Sequence, residues 1–153
     1  MQVTLVILKP SAIQRGIMGE VISRFEKKGL QIVGMKMLNL TDSQLELHYS
    51  HLVDKPFFGR IKDSMQASPV VAMAIKGVDA VNVTRKITGV TNGREAVPGT
   101  IRGDFSVSVQ ENIVHTSDSA ETAEIELNRF FNTDEIFNYS QFNIKSIYAG
   151  DEY

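Results

Sequence analysis

The run VTLVIL, Val3 to Leu8, limits the fold more than any other stretch of the chain. It is β-branched or apolar throughout, without the alternation of a half-buried strand, and Lys9-Pro10 closes it. Such a run reads as a strand buried on both faces, so other elements must cover it from two sides. Those elements follow in alternation. GEVISRFEKKG, Gly19 to Gly29, puts Val21, Ile22, Phe25 and then Leu30 on one side and ends in basic residues and glycine, the pattern of an amphipathic helix. QIVGMKMLNL reads as a second strand, and TDSQLELHY as a helix with hydroxyl and acidic caps and with Leu45, His48 and Tyr49 at helical spacing. PFFGRIKDSM is expected as a short helix, PVVAMAIKG as a third strand and DAVNVTRKITG as a helix ending at Gly89. VTNGREAVPGTIRGDF has little periodicity and is long for a connection, so it reads as a functional loop. FSVSVQENIVH supplies strand material, and SDSAETAEIELNRFF a last helix with Ala120, Ala123, Leu127 and Phe130 inward. The tail from Asn132 to Tyr153 is rich in Ile, Phe and Tyr and is expected to pack on the body or on a neighbouring subunit. Strands interleaved with helices through irregular joins fit a split βαβ arrangement better than a doubly wound sheet.

At 153 residues the chain makes about one domain, read here as residues 1–153. Its 16 basic and 18 acidic residues are mixed along the chain, which leaves no basic stripe for duplex nucleic acid. No specific nucleic acid partner is predicted. The absence of cysteine excludes disulfides, thiolate catalysis and iron–sulfur clusters. No apolar run has the length of a membrane span and the first nine residues do not form a signal peptide, so we expect a soluble, cytoplasmic protein. Neither the Walker spacing nor the dinucleotide glycine spacing occurs. If phosphates are handled, isolated side chains must do it.

One histidine stands where such chemistry is plausible. In NIVHTSDS, Asn112 to Ser119, two apolar residues run into His115 and the chain then switches to hydroxyl and acidic residues. The following helix is expected to start near Ser117 or Asp118, with Glu121 completing a capping box and the positive helix end facing the imidazole.

These segments resemble, over the whole chain, the nucleoside diphosphate kinase family. The resemblance is carried by ILKP with Gln14-Arg15-Gly16 behind it, HYSHLVDKPFF, SPVVAMAIKG, PGTIRGDF and NIVHTSDS, in the family's order and spacing. It implies an α/β sandwich of the ferredoxin-like kind, an antiparallel sheet covered by helices. It implies transfer of the γ-phosphate of a nucleoside triphosphate such as ATP or GTP to a nucleoside diphosphate, by a ping-pong route through a phosphohistidine. Magnesium is implied, held mainly by the nucleotide phosphates with no protein metal ligands, as is a homo-oligomer, a hexamer as in many relatives. Carried over by position, the nucleophile is His115, with Glu126 and Ser117 supporting it and Tyr49 beside the transferring group. Lys9, Arg85, Thr91, Arg102 and Asn112 surround the phosphates and ribose, and Phe57 lies under the base.

The residues agree with that chemistry on their own terms. Phosphoryl transfer needs cations converging from separate elements, arginine as a bidentate fork and lysine as a point charge. A neutral imidazole is a competent nucleophile near pH 7, and a covalent intermediate lets one site serve donor and acceptor in turn. A single stacked aromatic cannot discriminate strongly among bases, which predicts broad base specificity. His48 and His51 with Asp54 nearby suggest a metal pair, but no further ligand set accompanies them, so they read as structural. Of Phe57 and Phe58, one is expected in the core. The chain departs from the family pattern at Ser11-Ala12, at Gln110-Glu111 and at Thr116. A β-branched residue tolerates positive φ badly, so Thr116 is expected at negative φ. A nucleotide-binding module without transfer and a regulatory protein acting through its surface are the rival classes; neither needs three cations and a histidine together.

Overall fold

The computed structural model describes residues 1–153. Its centre is an antiparallel sheet of β1 (Gln2–Leu8), β2 (Gln31–Leu38), β3 (Val70–Gly77) and β4 (Val114–Thr116), in the order β2-β3-β1-β4. The chain leaves β1, forms α1 (Pro10–Gln14) and α2 (Met18–Lys27), and returns as β2 with a gap that β3 fills. After β3 it runs through α5 (Ala80–Thr88) and α6 (Ile101–Phe105) and returns as β4 on the far side of β1. Two split βαβ units therefore interlock, which is the ferredoxin-like topology.

The doubly apolar β1 is explained by its position. Val6 and Leu8 point into one core with Val21 and Phe25 of α2, Ala80 of α5 and Ile101 of α6. Leu5 and Ile7 point into the other, with Leu45 of α3 (Asp42–His48), Met65 of α4 (Phe58–Gln66) and Leu127 and Phe130 of α7 (Ala120–Phe130). Each residue of β1 thus serves one of two layers, because successive side chains of a strand face opposite ways.

The tail covers the body along β2. Phe137 N–H donates to Val33 O at 2.7 Å, Tyr139 O–H to Ile32 O at 2.5 Å and Gln31 Nε2 to Tyr139 O at 3.0 Å. Gly34, at a register shift in β2, lets this segment approach: a Cβ there would lie 2.8 Å from Glu135 O.

Four expectations need correction. Ser106 to Ile113 is not strand, and β4 has only three residues. Ser106 Oγ donates to Ser108 O and Glu111 O, while Ser108 Oγ accepts from the Gln110 and Glu111 amides, so hydroxyls replace the ladder. The helix after β4, α7 (Ala120–Phe130), is capped by Ser119, whose Oγ accepts from Thr122 N, not by Ser117 or Asp118. Ser117 is unavailable because its hydroxyl is committed to Glu126. Ala120 is exposed rather than inward, since the helix begins at that residue. Finally, α1 was not anticipated; Pro10 sits at its first position, where a missing N–H costs nothing.

Candidate active site

The middle residue of β4 is His115, opposite Ile7 of β1 and on the face covered by α7. That register turns its ring toward α7, where Glu126 lies in the second turn. His115 Nε2 is 3.0 Å from Glu126 Oε1 and 3.2 Å from Oε2, and Ser117 Oγ donates to Glu126 Oε2 at 2.5 Å. Burial opposes ionisation of Glu126, but the bonds from His115 and Ser117 outweigh it and its pKa lies below the ordinary carboxylate value. An ionised acceptor requires a proton on Nε2, so the lone pair of His115 is on Nδ1. The ring is 21% exposed.

A second histidine completes this cluster. His48, at the end of α3, has its ring edge-on to His115 at 4.6 Å between centroids and against Tyr49 and Phe130. Its Nδ1 is 3.6 Å from Glu126 Oε1, and neither ring nitrogen has a hydrogen-bond partner. Burial, with help from His115, pushes its pKa down to about 3, so it is neutral. The suggested His48–His51–Asp54 grouping does not form: His51 and Asp54 are exposed, whereas His48 is buried beside His115. Sequence reading missed this because an inward residue three positions from Leu45 is equally what a core requires.

Backbone geometry at His115 is unusual two residues earlier. Ile113, fully buried, has φ 73°, and Val114 N–H donates to Asn112 O at 2.8 Å across it. This is a γ-turn of the rare hand, strained for a β-branched residue. It brings Asn112 to the cleft, where Oδ1 accepts from Lys9 Nζ at 2.7 Å and Nδ2 donates to Thr91 O at 3.1 Å. Lys9 follows β1 directly and its own N–H donates to Ile113 O at 2.9 Å, so strand end and turn are locked together.

These groups line a cleft with two lobes. The first, about 630 Å³, includes Phe57, Leu52, Ile61, Val107 and Val109. Phe57 stands at the start of α4, 37% exposed, while Phe58 is buried as one of the pair was expected to be. The second lobe, about 730 Å³, includes Arg85, Lys86, Arg102, His115 and Thr116. Lys9, Tyr49, Thr91 and Asn112 border both. All ten residues anticipated at the site are thus brought together: eight line the lobes, and Glu126 and Ser117 hold His115 from behind.

Electrostatics in the second lobe are set by crowded cations. Arg102 is buried and donates to Asn112 O, Gly89 O and Val114 O, so it ties the loop as well as charging the cleft. Burial and then the neighbouring Arg85 charge lower its pKa to about 10. Lys9 is pushed down to about 8, chiefly by burial and then by Arg102, against an upward pull from Glu111. Tyr49 is pushed up to about 12 by burial and by Glu126, so it is a neutral hydroxyl donor. No carboxylate lines either lobe. Glu111 is held by Ser64 Oγ at 2.5 Å and Gln110 Nε2 at 3.3 Å. Thr116 lies in β4 with ordinary φ and borders the second lobe; the positive φ falls on Ile113 instead.

A family model described as nucleoside diphosphate kinase matches residues 2–136. The curated nucleoside diphosphate kinase of Parabacteroides distasonis is 62% identical over 153 residues, the whole of both chains. That of Archaeoglobus fulgidus is 48% identical over 148 residues, covering 97% of this chain and 98% of its own. Among solved structures, a halophilic nucleoside diphosphate kinase from Halobacterium salinarum in complex with CDP superposes with a TM-score of 0.93 at 35% identity, covering 96% of this chain and 98% of that one. The apo enzyme from Encephalitozoon cuniculi gives 0.92 at 41% identity, over 97% and 100%.

Proposed function

Because the chain belongs to the nucleoside diphosphate kinase family, and so transfers a phosphoryl group between nucleotides, we propose how its own residues perform that transfer. The observation that carries the reading is the His115 ring, tied at Nε2 to Glu126 at 3.0 Å and lining a lobe with four cations, Lys9, Arg85, Lys86 and Arg102.

The lone pair on Nδ1 attacks the γ-phosphorus of a nucleoside triphosphate. A P–N bond forms, the bond to the β-phosphate oxygen breaks, and the nucleoside diphosphate leaves. The ring gains positive charge in this step, and the Glu126 carboxylate beside Nε2 stabilises it without moving a proton. A second nucleoside diphosphate then attacks the phosphohistidine and restores the neutral ring. Lys9, Arg85 and Arg102 neutralise the oxygens during both transfers, and Tyr49 donates from its neutral hydroxyl. Asn112 positions Lys9, Thr91 anchors Asn112 through its carbonyl, and Ser117 holds Glu126 in line. Phe57 supplies a flat face for the base, and one stacked aromatic, with Leu52, Ile61, Val107 and Val109 near it, supports broad base specificity.

Magnesium would be brought in on the nucleotide's phosphates rather than held by the protein. The lobes offer cations and amides but no carboxylate, so the donor set suits a metal carried on the nucleotide phosphates, where it neutralises polyphosphate charge. We read residues 1–153 as one nucleoside diphosphate kinase domain, supported by a tail bonded along β2. Exposed Met35 and Met37 on β2 with Phe137 on the tail support a homo-oligomer, a hexamer in our reading, which solution scattering would check. A cytoplasmic setting is permitted by a chain without cysteine, and no helix is long and apolar enough to cross a membrane.

The test is incubation with γ-labelled ATP and magnesium. Label should appear on His115, acid-labile and base-stable, and pass to added GDP. Steady-state rates should give parallel double-reciprocal lines for donor and acceptor, whereas intersecting lines would show direct transfer in a ternary complex.

A further inference from the structure

The transfer reaction leaves one buried titratable side chain without a use. His48 has a side chain 2% exposed, and both of its ring nitrogens lack partners. A buried polar atom left unbonded costs about 1–3 kcal/mol, so the fold carries a debt at this ring. The ring is nonetheless aimed at the nucleophile's own support: Nδ1 stands 3.6 Å from the Glu126 oxygen that lies 3.0 Å from His115 Nε2. Donor atoms of His48, His115 and Glu126 all lie within 4.8 Å of one another.

We propose that His48, His115 and Glu126 form a binding site for one divalent ion of the zinc class, and that its occupation switches off the His115 nucleophile. Two histidines and a glutamate are a known zinc donor set, and zinc–ligand bonds of about 2.0–2.1 Å place neighbouring donors of a tetrahedron roughly 3.3 Å apart. The two glutamate edges, at 3.0 and 3.6 Å, bracket that value. The edge between the histidines is the one that must adjust, by rotation of rings already in edge contact. Imidazole nitrogen selects zinc over magnesium, so the ion carried by the substrate does not compete here. Ser117, bonded to the far oxygen of Glu126 at 2.5 Å, orients that ligand from outside. Entry is from the cleft, past the exposed edge of His115.

The switch follows from the imidazole's single proton. In the free enzyme that proton is on Nε2 and Nδ1 is the lone pair. Coordination through Nε2 needs the lone pair there, so the proton moves to Nδ1 and attack on phosphorus stops. The exclusion is mutual: a ring phosphorylated at Nδ1 keeps its proton on Nε2 and cannot take the metal. This second half rests on His115 being the phosphoryl carrier; the binding site itself does not.

Isothermal titration of the metal-free protein with zinc chloride, in magnesium buffer, tests the site. One ion should bind per chain, and cobalt at the same site should give the absorption of a four-coordinate centre. His48→Phe keeps a packed ring and removes both nitrogens; it should weaken zinc by at least the roughly tenfold that loss of an outer-shell partner alone costs. Equal affinity in wild type and His48→Phe would overturn the site. If that variant does not fold, the phosphoenzyme decides within the wild-type protein. Prepared with ATP and magnesium and freed of nucleotide, it should bind zinc more weakly than the free enzyme by the same margin. Equal affinity in the two forms would overturn the switch. Failure to form any phosphoenzyme would refute the role of His115 in transfer, and the comparison of wild type with His48→Phe would still decide the site.

Discussion

The two lobes of the cleft share Lys9, Tyr49, Thr91 and Asn112, yet they are built on opposite plans. In the lobe beside His115 each polar side chain from β1, the γ-turn and α6 is bonded to another element. Lys9 meets Asn112, Asn112 meets Thr91, Arg102 holds three carbonyls, and His115 holds Glu126. In the lobe beside Phe57 apolar side chains alternate with polar ones such as Arg60, Ser64 and Arg94, and Val107 and Val109 stand out into solvent. The difference is what the reaction asks for. Charge that moves through a transition state rewards groups fixed in advance, whereas a base needs only a face to lie against.

If that contrast is right, injuries to the first plan should fall on turnover and injuries to the second on affinity. His115→Ala should abolish exchange and leave a cooperative thermal transition, because the ring is at the edge of its core; measurable transfer in a coupled assay would break the comparison at its strongest point. Arg102→Ala should cost about 2–4 kcal/mol of transition-state stabilisation, read in kcat, and should also lower Tm by stranding three carbonyls. A loss confined to KM would place Arg102 in the wrong category. Phe57→Ala should cost about 1–3 kcal/mol, the usual worth of a stacked base, read mainly in KM and similarly for purines and pyrimidines.

The pH profile sharpens the same contrast. Lys9 has a pKa near 8 in the fold, so as pH rises through that value the free enzyme loses a charge and kcat/KM should fall by roughly tenfold per unit. The unfolded chain holds this proton to about 10.4, so between the two values Lys9 makes stability rise with pH. Activity falling while Tm does not is the signature, and Lys9→Arg should remove the falling limb from the activity that remains. The smallest effect belongs to Thr116→Gly. With ordinary backbone at Thr116, it should lower stability by only about 0.4–1 kcal/mol and change exchange less than tenfold. A glycine variant far faster than wild type would locate strain at Thr116 instead of Ile113.

Much of this was legible in the residues because it follows from period. The burial of β1 from Thr4 to Leu8, the apolar face of α2 and the Gly89 stop are local patterns, and the structure repeats them. What was not legible depends on competition between partners far apart in sequence. Ser117 reads as a cap until Glu126 is seen to claim its hydroxyl, and only then does Ser119 become the cap. The serines after Phe105 read as strand until their hydroxyls are seen to take up the backbone. The candidate site residues were named through the family resemblance, and the cleft brings them together. His48 escaped it because no local pattern separates a core histidine from one that faces a nucleophile.

The three-residue length of β4 has a further consequence, for the order in which the protein becomes competent. β4 pairs only with β1, and Lys9 meets Asn112 across 103 positions of sequence. Closing so long a loop costs entropy that no local contact repays, and such contacts form late on a folding route. On a ribosome, β1 emerges early and must wait for most of the chain before its outer edge is filled. Intermediates with β1, β2 and β3 already paired would therefore hold most of the sheet and none of the chemistry. Competence to carry a phosphoryl group arrives with the last strand, so pairing of the first three strands alone is not enough for activity.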